Sequence, residues 1–168
     1  QIINCNDWQT ALIPLYLRME FADQFPGAKT VFTIHNVEYQ GWAGSGFNYD
    51  VLGLPAEAEP VLRFGDGVNL MKAAIVSADA VSTVSETYAG ELQYPYFSHG
   101  MSEMLSMRYG RFFGITNGID TTVFDPAGSK NLACGYTAAT LAEGKAANKR
   151  AIQEELGLDQ DPNVPLFA

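Results

Sequence analysis

Four short polar clusters in this chain combine residue types that can bind or transform a polar ligand: Asn6-Asp7-Trp8, His35-Asn36, Ser85-Glu86 and Asn117-Gly118-Ile119-Asp120. Asp7 and Trp8 set a carboxylate acceptor beside a flat indole. That pairing suits a sugar, whose hydroxyls donate to the carboxylate while its C–H face packs on the ring. The same two residues also read as a helix N-cap followed by a core tryptophan. His35 directly follows an apolar run, where a histidine can donate to a ligand oxygen or support positive charge developing nearby, or be satisfied by a backbone carbonyl. His99, in Tyr96-Phe97-Ser98-His99-Gly100, has no strand pattern before it and reads as a surface residue. Gly44-Ser45-Gly46 lacks a third glycine at the right offset and opens no helix, so it is not a phosphate loop. The chain has no Ser-His-Asp elbow, HExxH or Walker A pattern, and Lys149-Arg150 reads as a solvated helix face.

Each cluster needs an element to position it. Ile2-Ile3-Asn4-Cys5 is a short apolar run ahead of Asn6-Asp7, a strand entering a helix cap. Trp8, Ala11, Leu12, Leu15 and Met19 recur at helical spacing, with Pro14 expected to kink that helix or shift its start. Thr30 to Ile34 and Ala80 to Val84 are β-branched runs of strand length, and Arg111 to Ile115 is a weaker fourth. Helical spacing returns at Val68, Met71, Ile75 and Ala78. Ser85 is placed to cap a short helix, and another helix is expected near Ser102 to Tyr109. Thr140 and Glu143 have the spacing of a capping box before a charged helix ending at Gly157, and Leu166-Phe167-Ala168 is expected to begin a strand. From about Val37 to Gly67 no period is sustained, which predicts a long functional loop. Strands alternating with helices predict an α/β fold, a parallel sheet with flanking helices. Ligands of such sheets bind outside the carboxyl ends of the strands, where all four clusters would meet.

Composition bounds the function. The 168 residues include 10 Lys and Arg against 19 Asp and Glu, a formal net charge of −9, with 47% hydrophobic and 17% charged residues. A core can be buried, and the acidic balance argues against nucleic-acid or anionic-membrane binding. The apolar runs are too short to span a membrane. Cys5 and Cys134 are too few for a disulfide scaffold and have no metal-site spacing, which fits a reducing cytosol. The absence of Met at Gln1 and the strand-like ending suggest a piece of a longer protein.

The chain closely resembles the bacterial glycogen synthase and plant starch synthase family. The resemblance rests on Asn6-Asp7-Trp8-Gln9-Thr10-Ala11-Leu12-Ile13-Pro14, on Val31 through Gly41 with its His-Asn-x-x-Tyr-Gln-Gly segment, and on Asn69-Leu70-Met71-Lys72-Ala73-Ala74-Ile75. It continues through Ala78-Asp79, Ser82-Thr83-Val84-Ser85, Gly114 through Asp120, and Asn148-Lys149-Arg150. Gln9 stands where family members commonly carry histidine, and Asn4 and Asn6 replace a histidine pair of some bacterial members.

This resemblance implies a partial Rossmann-like sheet from the N-terminal domain of a two-domain GT-B glucosyltransferase. Residues 1–125 would be the later part of the acceptor-side domain, 126–139 the interdomain linker, and 140–168 the start of the nucleotide-sugar-binding domain. It implies transfer of glucose from ADP-glucose to the non-reducing 4-hydroxyl of an α-1,4-glucan with retention, without metal or other cofactor. Its partners would be the glucan acceptor and nucleotide-sugar donor. Its location would be cytoplasmic in a bacterium, or plastidic in a plant or alga. His35 would face the donor glucose, while Asp7, Trp8, Asn36, Tyr39 and Asn117 would line the substrate cleft. Without the diphosphate-binding half, the chain alone is expected to be inactive. The alternatives are a non-catalytic glucan-binding or scaffold module and another retaining GT-B glycosyltransferase.

Overall fold

The computed structural model describes residues 1–167. They fall into two compact units that meet in sequence between Asn117 and Gly118.

In the first unit, strand β1 (Ile2–Asn6) leads through a 3-10 turn at Trp8–Thr10 into helix α1 (Ile13–Met19). The helical spacing that begins at Trp8 is therefore divided between that turn and α1. Pro14 occupies the first turn of α1, where its missing N–H is no loss, so it shifts the helix start rather than kinking the helix. Strand β2 (Lys29–Ile34) follows.

The Val37–Gly67 stretch is more ordered than its lack of period suggested. It holds β3 (Trp42–Gly44), a π-helical turn at Asn48–Leu52, a 3-10 turn at Ala56–Ala58, α2 (Glu59–Leu62) and β4 (Arg63–Phe64). With β5 (Gly67–Asn69) these strands make a small antiparallel sheet of order β3-β5-β4. Elements this short leave too few repeats for a periodicity to register.

Helix α3 (Leu70–Ser77) is capped by Asn69, whose side chain accepts from the Lys72 N–H at 2.8 Å. Six of its eight residues are buried, the pattern of a helix enclosed on nearly all sides. Strand β6 (Ala80–Thr83) is followed by α4 (Glu86–Glu91), capped as expected by the Ser85 hydroxyl. Helix α5 (Ser102–Ser106) is shorter than expected, and β7 is Phe112–Gly114.

The main sheet has order β1-β2-β6-β7 with every neighbouring pair parallel, which is the α/β architecture expected. Phe32, Ile34 and Val81 from its centre pack with Leu15, Met71, Ile75 and Leu105 to form the core. At the amino end, the Asp79 carboxylate accepts from Thr30 N–H (2.9 Å), the Thr30 hydroxyl (3.2 Å) and the Lys29 ammonium (2.9 Å), tying the starts of β2 and β6 together.

The second unit centres on α6 (Leu141–Glu155). Its capping box lies one turn earlier than expected, between Thr137 and Thr140, because a 3-10 turn at Ala138–Thr140 precedes the helix. Gly157, at φ +66°, ends the helix, with Leu158 N–H reaching back to the Gln153 carbonyl at 2.8 Å. Asn148 is buried and holds Cys134 by both backbone groups, donating to its carbonyl (2.6 Å) and accepting from its N–H (3.1 Å). Lys149 is not simply solvated. Its ammonium donates to the carbonyls of Asp161 (3.2 Å), Pro162 (3.0 Å) and Val164, gathering the segment after the helix. That segment is irregular: Leu166 and Phe167 form no strand, since no neighbouring strand offers them a ladder, and Ala168 lies outside the described residues.

Candidate functional site

Parallel pairing aligns the strand ends. Asn6 sits opposite Thr33, Ile34 opposite Thr83, and Thr83 opposite Gly114. The clusters at Asn6, His35 and Ser85 therefore emerge from the carboxyl edge of the main sheet, where open α/β sheets take their ligands.

Asp7 is the hinge of this edge. It lies at φ +52° and ψ −179°, in the left-handed half of conformational space that L side chains rarely adopt. It caps no helix: its side chain makes no cap hydrogen bond, contrary to the simplest local reading. Instead, its backbone N–H donates to the Thr33 carbonyl (3.0 Å), while Oδ1 accepts from the backbone N–H groups of His35 (2.8 Å) and Asn36 (3.5 Å). One carboxylate oxygen thus organises the turn that carries both residues.

The His35 ring is held from β1. Nε2 lies 3.0 Å from Oδ1 of Asn6, and since an amide oxygen only accepts, the ring donates in this bond through Nε2–H. Asn36 uses its own Oδ1 to accept the Glu38 N–H at 2.9 Å, closing a local turn, and its amide NH2 has no hydrogen-bond partner among the described residues. Ser85 is occupied as the α4 cap. Asn117 lies three residues beyond β7, exposed, and no hydrogen bond among the described residues joins it to the other candidates.

Trp8 and Tyr39 converge on a groove of about 390 Å³ whose walls also include Gly41, Trp42, Phe47 and Leu70. Trp8 is 36% exposed and Tyr39 61%, so Trp8 is not the fully buried core residue that local spacing allowed. A Cβ on Gly41 would lie 2.8 Å from the indole of Trp8, and Gly41 adopts φ +69°. Only glycine lets the chain pass so closely beneath that ring.

Two buried amides brace this loop. Gln40 donates to the carbonyls of Val37 (3.0 Å) and His99 (3.1 Å), and Asn69 donates to the Gln40 carbonyl oxygen at 2.6 Å. His99 thereby enters the architecture through its backbone, at φ +48°. Sequence reasoning put Asn6 in a candidate cluster and Gln40 and Asn69 in the shared motifs, but it did not find the bonds these three side chains make. Asn69 carried a detectable signal, a cap residue before an apolar helical run. The His35 contact of Asn6 and the Asn69 contact of Gln40 carried none, because each spans 29 positions in sequence.

Residues 1–107 match the family described as the starch synthase catalytic domain. A glycogen synthase of Anaeromyxobacter sp. (strain Fw109-5) is 46% identical over 171 residues, covering 99% of this chain and 36% of that protein. Glycogen synthase 2 of Geobacter sulfurreducens is 46% identical over 170 residues, covering 99% of this chain and 35% of that protein. The chain thus spans about a third of the length of the curated relatives it matches. The catalytic domain of Starch Synthase IV from Arabidopsis thaliana, solved bound to ADP and acarbose, superposes with a TM-score of 0.80 at 36% identity. That match covers 95% of this chain and 33% of the plant chain.

Proposed function

The chain belongs to the starch synthase catalytic-domain family, and from that premise we propose that it supplies the acceptor-side part of a GT-B glucosyltransferase site. In this reading residues 1–125 belong to the acceptor-side domain, 126–139 to the connection and 140–168 to the start of the nucleotide-sugar domain. The complete enzyme transfers glucose from ADP-glucose to the 4-hydroxyl at the non-reducing end of an α-1,4-glucan. The observation that carries the reading is the Asp7-centred turn, which presents His35 and Asn36 at the carboxyl edge of the sheet. The plant structure holding ADP supports an adenosine-diphosphate donor.

Chemically, the bond from glucose C1 to the diphosphate oxygen breaks and a bond from C1 to the acceptor oxygen forms on the same face. The acceptor hydroxyl proton passes to the departing diphosphate, so no protein nucleophile or metal is required. Charge builds at the anomeric centre as the diphosphate leaves. His35, fixed through its Nε2 bond to Asn6, supports that charge electrostatically without acting as a base. Asn36 contributes free amide donors for sugar hydroxyls, and Trp8 and Tyr39 contribute apolar faces. Asn117 would line the same cleft from beyond β7.

The test is a His35→Ala substitution in the complete enzyme, assayed for ADP-glucose-dependent glucan elongation. The expected result is a fall in kcat of about a hundredfold or more, with smaller changes in KM. Undiminished turnover overturns the role of His35. A complete enzyme that binds glucan but elongates nothing from any nucleotide-glucose supports the binding-module alternative instead.

A further inference from the structure

Beside the proposed transfer site at the sheet edge stands Trp42, an exposed aromatic that the transfer step does not use. We propose that the groove beside Trp8 is a subsite for an inner glucosyl unit of the acceptor chain, with Trp42 as its stacking platform. This inference rests on the glucan-acceptor reading above and adds to it a site that grips the chain away from its reacting end.

Trp42 opens β3, and its position is built rather than incidental. It is 58% exposed, yet β3 is held in register against β5, with Trp42 opposite the buried Asn69. Phe64, from β4, packs on the indole with ring centroids 5.4 Å apart and planes tilted by 54°. The ring is supported from within the small sheet while more than half of the residue stays open to solvent. Its neighbours in the groove include Trp8, Tyr39 and Phe47, with Gly41 and Leu70 beneath. A volume of about 390 Å³ falls within the roughly 300–1,000 Å³ of small-ligand sites.

The lining also selects the class of ligand. Glu38 is its only charged residue, so nothing there balances a phosphate or other anion, and the chain as a whole is acidic. A neutral polyol with apolar C–H faces fits such a surface: its rings cover the exposed aromatics while hydroxyls remain at the rim. Covering a supported aromatic in this way removes apolar area from water with little ordering of the protein, because the platform is already rigid. Trp8 belongs both to the Asp7 turn and to the groove, which makes the two surfaces continuous.

The test is calorimetric titration of the chain with maltotriose and with maltoheptaose, comparing the parent chain with Trp42→Ala. The inference expects roughly tenfold weaker maltoheptaose binding, equivalent to one lost stacking contact, and little change for maltotriose. Trp42→Phe should restore most of the loss, and Trp8→Ala should weaken both ligands. Trp42→Gln, which keeps a chain over Phe64, replaces the alanine variant if the latter fails to fold. An unchanged maltoheptaose affinity, or equal loss for both oligosaccharides, overturns the subsite and leaves the acceptor reading standing. A parent chain that binds neither oligosaccharide overturns both.

Discussion

Asp7 holds a conformation that costs free energy, and the surrounding bonds show what maintains it. Its N–H is tied to Thr33, its carbonyl accepts from Thr10 N–H at 3.2 Å, and its carboxylate takes the His35 N–H. Residues held at such φ values store about 1–3 kcal/mol, and they persist where neighbours over-determine them. Two substitutions separate the backbone from the carboxylate. Asp7→Ala and Asp7→Gly both lose the acceptor for His35, but only the glycine relieves the strained φ. Both should be less stable than the parent chain in urea unfolding, with Asp7→Gly recovering about 1 kcal/mol relative to Asp7→Ala, the strain relief being partly offset by glycine's greater freedom in the unfolded chain. Equal stabilities would show that the strain relieved is no larger than glycine's entropic cost. The type of Asp7 was legible as a ligand-edge residue, but its use as the organiser of the His35 turn was not, because that bond spans 28 positions.

At the level of elements, the two ends of the main sheet do different jobs. The carboxyl edge presents the exposed polar residues Asn6, His35 and Asn36, while the amino edge is closed by the Asp79, Thr30 and Lys29 cluster. Burial alone would raise the Asp79 carboxyl, but the Thr30 N–H, the Lys29 ammonium and the Thr30 hydroxyl outweigh it and hold the group below its ordinary value of 3.8. A carboxyl whose folded value is depressed stabilises the fold above its unfolded value, and that contribution disappears as pH falls through the lower folded value. Asp79→Asn is therefore expected to be less stable than the parent chain at pH 7. With the Asp79 side chain 39% exposed, solvent screening limits the difference to about 1 kcal/mol. The gap should narrow as pH drops below about 4, read from paired denaturation curves; a gap independent of pH would remove the ion pair from the account. The parallel sheet itself was legible from apolar runs alternating with helical spacing, whereas its strand order came only from the structure. The small β3-β5-β4 sheet was not legible, since its strands hold only two or three residues each and pair through register rather than pattern.

On the scale of the whole molecule, the two units offer independent reporters. Cys5 is fully buried in β1, and burial pushes its thiol upward, which disfavours the reactive thiolate. Cys134, in the second unit, is exposed. A thiol-specific reagent at neutral pH should label Cys134 quickly and Cys5 only at the rate at which the first unit opens. Fast labelling of both cysteines in the folded chain would contradict the packing of β1. No described helix is long and apolar enough to cross a membrane.

The sequence by itself determined what is local or repeated. It determined the strand runs of the parallel sheet, the Ser85 cap and Gly157 stop, the acidic charge, and the family motifs that place His35, Asp7 and Trp8 at one edge. These are legible because a strand's period, a cap's chemistry and a motif's spacing reside within a few neighbouring residues. Only the tertiary structure decided that Asp7 binds a turn instead of capping a helix, that Asn6 orients the His35 ring, and that Gln40 and Asn69 brace the groove. It also decided that Lys149 gathers backbone carbonyls and that Trp42 stands supported at the groove's rim. Such roles are set by which atoms lie within about 3 Å after packing. Packing joins residues whose separation along the chain carries no trace of the contact.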